Sequence, residues 1–180
     1  MWPDLTTFER LAREYPLVPV VRAWNADLET PVSVYLKLAG EGPGYLLESV
    51  EGGERVARYS FVGADPFRVV AAGPDDHAFS LLRRHLAELQ APALNRLPGL
   101  EGLPDFTGGL VGYLGYDAVR SLERLPDAPP EDRDLPAAWW MAAGILAIFD
   151  HARSQVYLVA SLPRREGEQA ADLHRRSAAA

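Results

Sequence analysis

Two apolar runs near the end of the sequence, joined by a short polar connection, constrain the fold most. Residues Trp139–Phe149 and Gln155–Ser161 are dominated by aromatic, β-branched and other apolar side chains, and the turn between them is centred on Asp150-His151-Ala152-Arg153. A connection of this length has no room for a crossover helix, so strands joined by it run antiparallel. The pattern predicts an antiparallel hairpin and disfavours a fold of regular β-α-β units.

The rest of the chain alternates runs of strands with single helices. Residues 45–72 read as a hairpin followed by a third strand, which favours an antiparallel meander. The predicted fold class is therefore α+β, with a largely antiparallel sheet flanked by helices. Strand patterns cover 17–24, 45–50, 58–62, 67–72 and 108–116; helix patterns cover 6–14, 75–91, 117–122 and 166–180.

Capping signals mark two helix starts. Thr6 and Glu9 have the spacing of a capping box before the first helix. At Thr30-Pro31 two alternatives exist, because threonine followed by proline is typical of a helix start, whereas the alternating apolar residues of 32–38 fit a strand. The cap and the proline agree with each other, so the sequence favours a helix here.

Composition excludes several classes of function. The net charge of −7 disfavours nucleic-acid binding, which needs clustered cations. The absence of cysteine removes disulfides and cysteine metal sites. No signal peptide is expected, and the apolar run of residues 136–149 is shorter than the roughly 20 residues of a membrane-spanning helix. We expect a cytoplasmic protein that binds neither membrane nor nucleic acid.

The end of the strand pattern at residues 45–50 is a candidate binding site. Glu48 could bind a ligand ammonium and Ser49 could donate or accept a hydrogen bond, or Glu48 could simply face solvent. Arg55 and Arg58 follow across the predicted hairpin. An arginine here could form a weak cross-strand ion pair with Glu48, or hold a ligand carboxylate through two hydrogen bonds. The residues alone leave these alternatives open.

Neither the glycine-rich block nor the histidines predict a catalytic or metal site. Residues 108–116 lack the glycine spacing of a dinucleotide loop, and we interpret these glycines as sites of close backbone approach, with Tyr113 and Tyr116 half-buried. None of the histidines pairs with another at metal-ligand spacing, and each is interpreted as a surface or capping residue. They are His77, His85, His151 and His174.

Three segments together resemble one family. They are 30–38 (TPVSVYLKL), 45–63 (YLLESVEGGERVARYSFVG) and 106–120 (FTGGLVGYLGYDAVR). This set resembles the amino-terminal region of anthranilate synthase component I, and the middle segment is the most specific. The last segment is shared with aminodeoxychorismate synthase component I, a second candidate, and a free-standing amino-acid-binding or interaction module is the third.

The resemblance implies a function in tryptophan biosynthesis. The family's full enzyme is a lyase that converts chorismate and ammonia to anthranilate and pyruvate. It requires Mg²⁺, takes ammonia from a glutamine amidotransferase subunit and is inhibited by L-tryptophan. The resemblance places tryptophan contacts at Leu46, Leu47, Glu48 and Ser49, with a basic contribution from Arg58.

The resemblance also implies a division into domains. Residues 5–163 would form the tryptophan-sensing domain, and residues 164–180 a helical linker toward the enzyme's own C-terminal catalytic domain. In the family the chorismate and Mg²⁺ residues lie in that second half. We therefore expect no catalytic residue, and no Mg²⁺ site, in these 180 residues, and we expect the segment alone to be inactive.

Overall fold

The computed structural model describes residues 1–25, 27–48, 58–73, 76–126 and 135–180. Within these residues one antiparallel sheet has the order β1-β6-β5-β3-β2, and β4 pairs with β5 beyond the end of β6. This confirms the α+β class. The strands are β1 Val20–Asn25, β2 Tyr45–Leu47, β3 Tyr59–Ala72, β4 Leu110–Leu114, β5 Ala138–Asp150 and β6 Gln155–Ala160; the helices are α1 Leu5–Glu14, α2 Pro31–Ala39, α3 Ala78–Glu88 and α4 Ala170–Ala179, with 3-10 helices at Leu94–Arg96 and Tyr116–Ser121.

The predicted hairpin at the end of the chain is confirmed and forms the centre of the sheet. β5 and β6 pair antiparallel from Ile145↔Ala160 to Asp150↔Gln155. β5 is long enough to pair with β3 along its whole length as well. Its side chains are buried almost throughout, which explains why its sequence is a continuous apolar run.

The strand β3 differs from the sequence prediction. Residues 58–62 and 67–72 were expected to form two strands, but the chain continues through Pro66 as one strand of 14 residues. The pairing with β5 shifts between Pro66 and Arg68, and Asp65 has a φ of 49°. Such an irregularity lets a residue without an N–H group lie inside a strand, so the proline did not end it. The predicted reversal at 51–54 lies outside the described residues.

Capping explains where the first two helices begin. The helix at Pro31 is confirmed, because the Thr30 side chain accepts from the Ser33 backbone N–H and Ser33 Oγ accepts from the Thr30 backbone N–H. The capping box at Thr6 is wrong: Asp4 caps α1 by accepting a 2.8 Å hydrogen bond from the Thr7 N–H. A carboxylate at the N-cap position also suits the helix dipole.

The sheet is covered differently on its two faces. On one, which we call the loop face, Leu146 and Ile148 of β5 pack against Leu94, Leu100 and Leu103 of the connection between α3 and β4. On the other, the helix face, side chains of β3, β5 and β6 pack against α2. The residues of this second cluster are Val62, Ala147, Phe149 and Val156, with Val34, Tyr35 and Leu38 from α2.

The last helix, α4, packs onto the domain rather than standing apart from it. Its Leu173 is buried in the cluster that contains Phe8 and Leu11 of α1. His174 Nε2 lies 3.0 Å from the Pro3 carbonyl oxygen, and its ring contacts Phe8 at 5.0 Å between centroids. The helix predicted at 166–180 is thus present, but it shares the core of residues 5–163. Its role as a link to a further domain stays a prediction.

The glycine-rich segment forms β4 and the 3-10 helix that follows it. Tyr113 donates a 3.2 Å hydrogen bond from its hydroxyl to the Pro136 carbonyl. Tyr116 is 94% exposed, so its predicted half-burial is wrong. The Gly115 N–H still bonds the Ala137 carbonyl, but Tyr116 begins the 3-10 helix and is no longer part of β4.

Replacing Gly112 by alanine should destabilise the protein by about 2–3 kcal/mol, as overpacking does. A Cβ at this position would lie 1.9 Å from the Trp139 carbonyl oxygen and 2.6 Å from the Trp140 Cα. Both obstacles are backbone atoms of β5, so a side-chain rotation cannot relieve the clash. Urea unfolding followed by circular dichroism measures the loss.

Gly73→Ala is the matched control. The nearest atom to a Cβ there is Asp76 Oδ2 at 3.6 Å, an ordinary contact. Its effect should stay within about 1 kcal/mol. An equal loss of stability in both variants would contradict close approach as the reason for glycine at position 112.

Candidate functional site

Glu48 lies immediately after β2, against the start of β3. The pairing Leu47↔Phe61 places the next residue of the chain, Glu48, beside Ser60. The Ser60 hydroxyl donates to Glu48 Oε1 at 3.3 Å. One oxygen of this carboxylate is thereby held at the end of the strand by a side chain of β3.

Ser60 connects Glu48 to a histidine on a third strand. Ser60 Oγ lies 2.7 Å from His151 Nε2 and is only 3% exposed as a residue. His151 follows the last residue of β5 and stacks on Phe149 with 6.2 Å between ring centroids. Because Phe149 pairs with Ser60 and belongs to the α2 cluster, Glu48, Ser60 and His151 all lie on the helix face.

Arg58 forms an ion pair with the buried end of β5. Its Nε donates to Asp150 Oδ1 at 3.0 Å and its Nη2 donates to Oδ2 at 2.6 Å, while the Asp150 side chain is 0% exposed. Burial acts to raise the pKa of Asp150, but the hydrogen bonds and charge of Arg58, with help from Arg153, outweigh burial and lower that pKa. This is a charge-assisted bidentate contact.

The sheet separates Arg58 from Glu48. Asp150 pairs with Tyr59, which packs on the loop face, and the Arg58 guanidinium lies 4.8 Å from the centroid of the Tyr59 ring. Its contacts with Asp150 and the Tyr59 ring therefore place the guanidinium on the loop face, whereas Glu48, beside Ser60, lies on the helix face. The cross-strand pair of Arg58 with Glu48, one of the alternatives above, does not form; Arg58 pairs with Asp150.

The remaining predicted site residues are placed only in part. Leu47 is 43% exposed at the end of β2 and pairs with Phe61. Leu46 packs toward α2 on the helix face. Ser49 lies outside the described residues, as does Arg55. The assignment of Leu47, Glu48, Ser49 and Arg58 to a tryptophan site stays a prediction.

The sequence patterns missed Ser60 and His151 beside Glu48, and they missed Asp150 as the partner of Arg58. The sequence patterns place Asp150 and His151 in the hairpin turn and Ser60 in an ordinary strand. One signal was available: a carboxylate and an imidazole stand together directly after a fully apolar strand. Their partners lie 91 and 92 positions earlier in the chain, at distances no local pattern reports.

An open depression of about 440 Å³ adjoins His151 on the helix face. It lies between the start of α2 and the β5–β6 turn, and its lining includes Thr30, Pro31, Phe149 and Gln155.

Among the described residues no group of three His, Asp or Glu side chains could hold a metal ion. In the same part of the chain no helix has the length and apolarity to span a membrane.

Curated relatives share this sequence at moderate identity. The chain is 33% identical over 170 residues to anthranilate synthase component 1 of Acetivibrio thermocellus, covering 89% of this chain and 34% of the relative. It is 42% identical over 158 residues to the enzyme of the same name from Streptomyces coelicolor, covering 87% and 29%. The chain therefore spans about a third of the length of these relatives.

A solved structure and a family match agree with these relatives. The crystal structure of anthranilate synthase component I from Streptococcus pneumoniae matches with a TM-score of 0.52 and 20% identity, over 86% of this chain and 34% of that one. At that identity the match shows the fold. Residues 42–180 match the family described as chorismate binding enzyme, which is most of the sequence. The chain belongs to the chorismate-binding enzyme family.

Proposed function

We propose that this chain is the tryptophan-sensing part of an anthranilate synthase component I, whose whole length converts chorismate and ammonia to anthranilate and pyruvate. The family membership and the relatives of that name support the activity. The observation that carries the sensing role is the carboxylate of Glu48, held at the end of β2 by Ser60.

In this proposal, different parts of the amino acid bind to different residues. Glu48 would bind the ammonium group through Oε2, which has no partner among the described residues. Leu47, which pairs with Phe61 on the loop face, could reach the same ligand only at the end of the sheet, and Ser49 is included as the resemblance implies. Arg58 could contribute only through the remaining N–H groups of Nη1 and Nη2, because Asp150 accepts from its Nε and from one N–H of its Nη2. A carboxylate bound there would have to lie at the end of the sheet, where the two faces meet.

Inhibition would follow if tryptophan bound one arrangement of the whole enzyme better than another. A ligand shifts such an equilibrium only by the difference in its affinities for the two states. The proposal places the catalytic residues and the Mg²⁺ in the C-terminal catalytic domain of the whole protein, and includes a glutamine amidotransferase subunit as the source of ammonia. No step of the reaction is assigned to the residues described above.

The test uses the whole protein with chorismate, ammonia and Mg²⁺. Anthranilate fluorescence with matching pyruvate release is expected, and L-tryptophan should suppress both. The 180-residue chain assayed alone should give no product. An aminated product without pyruvate release would instead indicate an aminodeoxychorismate synthase. Anthranilate from the short chain, or activity that tryptophan leaves unchanged, would contradict the proposal.

A further inference from the structure

We propose that His151 is a positioning residue for Glu48, acting through the Ser60 hydroxyl, and that this chain of contacts makes the site select ligands carrying an ammonium group. The inference rests on the proposed function, because it concerns how the same site distinguishes its ligand. It adds two residues, Ser60 and His151, that neither the sequence patterns nor the resemblance assigns.

Hydrogen-bond chemistry gives the chain of contacts one direction. An ionised carboxylate only accepts, so Ser60 must donate its single hydroxyl proton to Glu48 Oε1, at 3.3 Å. The Ser60 oxygen then accepts from His151 Nε2, at 2.7 Å, which requires that this nitrogen carry a proton. The opposite direction would leave the lone pairs of Ser60 facing a carboxylate. Only a donor at position 151 therefore satisfies both contacts.

The surroundings of Ser60 and His151 hold both residues in place. Ser60 is buried between β2 and β5, where its rotation is restricted. The His151 backbone N–H donates to the Arg58 carbonyl at 2.9 Å, and its ring stacks on Phe149. Glu48, by contrast, follows the last residue of a three-residue strand. The pair thus restricts the orientation of the carboxylate, whose Oε2 has no partner among the described residues.

Loss of the His151–Ser60 contact should weaken the binding of ligands that carry an ammonium group and leave the binding of other ligands unchanged. Without a donor at position 151, Ser60 can turn its proton away and Glu48 loses its fixed orientation. Tryptophan affinity should fall about tenfold, the value of one hydrogen bond to a charged group. Indole-3-propionate has the ring and the carboxylate but no amine, so its affinity should not change.

The experiment measures binding of both compounds to the whole protein by titration calorimetry. The variants are Glu48→Gln, His151→Phe, His151→Gln and the double variant Glu48→Gln/His151→Phe. Phenylalanine keeps the stacking on Phe149 but cannot donate, whereas glutamine restores an N–H near the position of Nε2. We expect His151→Phe to weaken the binding of tryptophan but not of indole-3-propionate. His151→Gln should recover most of the tryptophan affinity. The double variant should bind tryptophan no more weakly than Glu48→Gln does. Thermal unfolding confirms that each variant is folded.

The outcomes separate this inference from the proposed function. If the unmodified protein does not bind tryptophan, or if Glu48→Gln leaves its affinity unchanged, the proposed site fails and the inference with it. If Glu48→Gln weakens binding but His151→Phe does not, the inference alone fails. Losses that add in the double variant, or an equal loss for both compounds, would also overturn it, since they indicate a general structural effect of His151.

Discussion

Replacing Arg58 by methionine should lower the free energy of unfolding by about 3 kcal/mol at pH 7, the lower end of the cost of breaking a buried ion pair. The Asp150 side chain is fully buried, so the variant retains a carboxylate that has lost both hydrogen bonds of its main partner. Arg153 is the remaining cation, 4.0 Å away and half exposed, and it can compensate only in part. Chemical unfolding at constant pH measures the loss.

The same variant should change how stability depends on pH. In the unmodified protein the pKa of Asp150 is lowered from its ordinary value of 3.8, so the stability it contributes is present above about pH 4 and is lost as the pH falls through the lowered pKa. Without Arg58, burial raises that pKa, and the variant loses stability as the pH rises. The difference between the two proteins should therefore be large at pH 7 and decrease as the pH falls through the lowered pKa of Asp150.

Two comparisons test whether the buried carboxylate is the cause. Arg153→Met removes a more exposed cation at a longer distance, and should cost no more than about 1 kcal/mol. Asp150→Asn leaves an arginine whose side chain is 32% exposed and can turn toward water, so it should cost less than Arg58→Met. Equal losses in all three variants, or a difference that does not vary with pH, would contradict this explanation.

Glu48→Ala in the whole enzyme should raise the tryptophan concentration for half-inhibition by about 10- to 100-fold. This is the effect expected when a hydrogen bond between a carboxylate and an ammonium is lost. The physical reason is that Glu48 supplies the negative charge held on the helix face at the end of β2. The measurement is a tryptophan titration of anthranilate production at fixed chorismate.

Two further variants make this result specific. Glu41→Gln removes an exposed negative charge close to the same strand and should leave the half-inhibition concentration unchanged. Ser49→Phe adds bulk beside Glu48 and should also relieve inhibition, if Ser49 contacts the ligand as the resemblance implies. Inhibition that stays the same in both Glu48→Ala and Ser49→Phe would remove the assignment of the site to this strand end.

Features that depend on neighbouring residues could be predicted from the sequence. The hairpin of β5 and β6 followed from two apolar runs and a short connection, and α2 followed from threonine and proline at its start. The predictions were wrong where another interaction outweighed the local signal. Pro66 suggested a break, but the pairing of β3 with β5 on both sides of it kept the strand continuous. Likewise, Asp4 rather than Thr6 caps α1.

The sequence by itself determined the antiparallel α+β character and the position of Glu48 at the end of a strand. Only the tertiary structure decided which partners the polar side chains have. Strand register brings Ser60 to Glu48 and His151 on one face, and Asp150 to Arg58 on the other. The reason is physical: apolar periodicity acts over a few residues, whereas Glu48 and Ser60 lie 12 positions apart and the contacts of His151 and Asp150 join residues about 90 positions apart. A sheet one residue out of register would exchange the two faces.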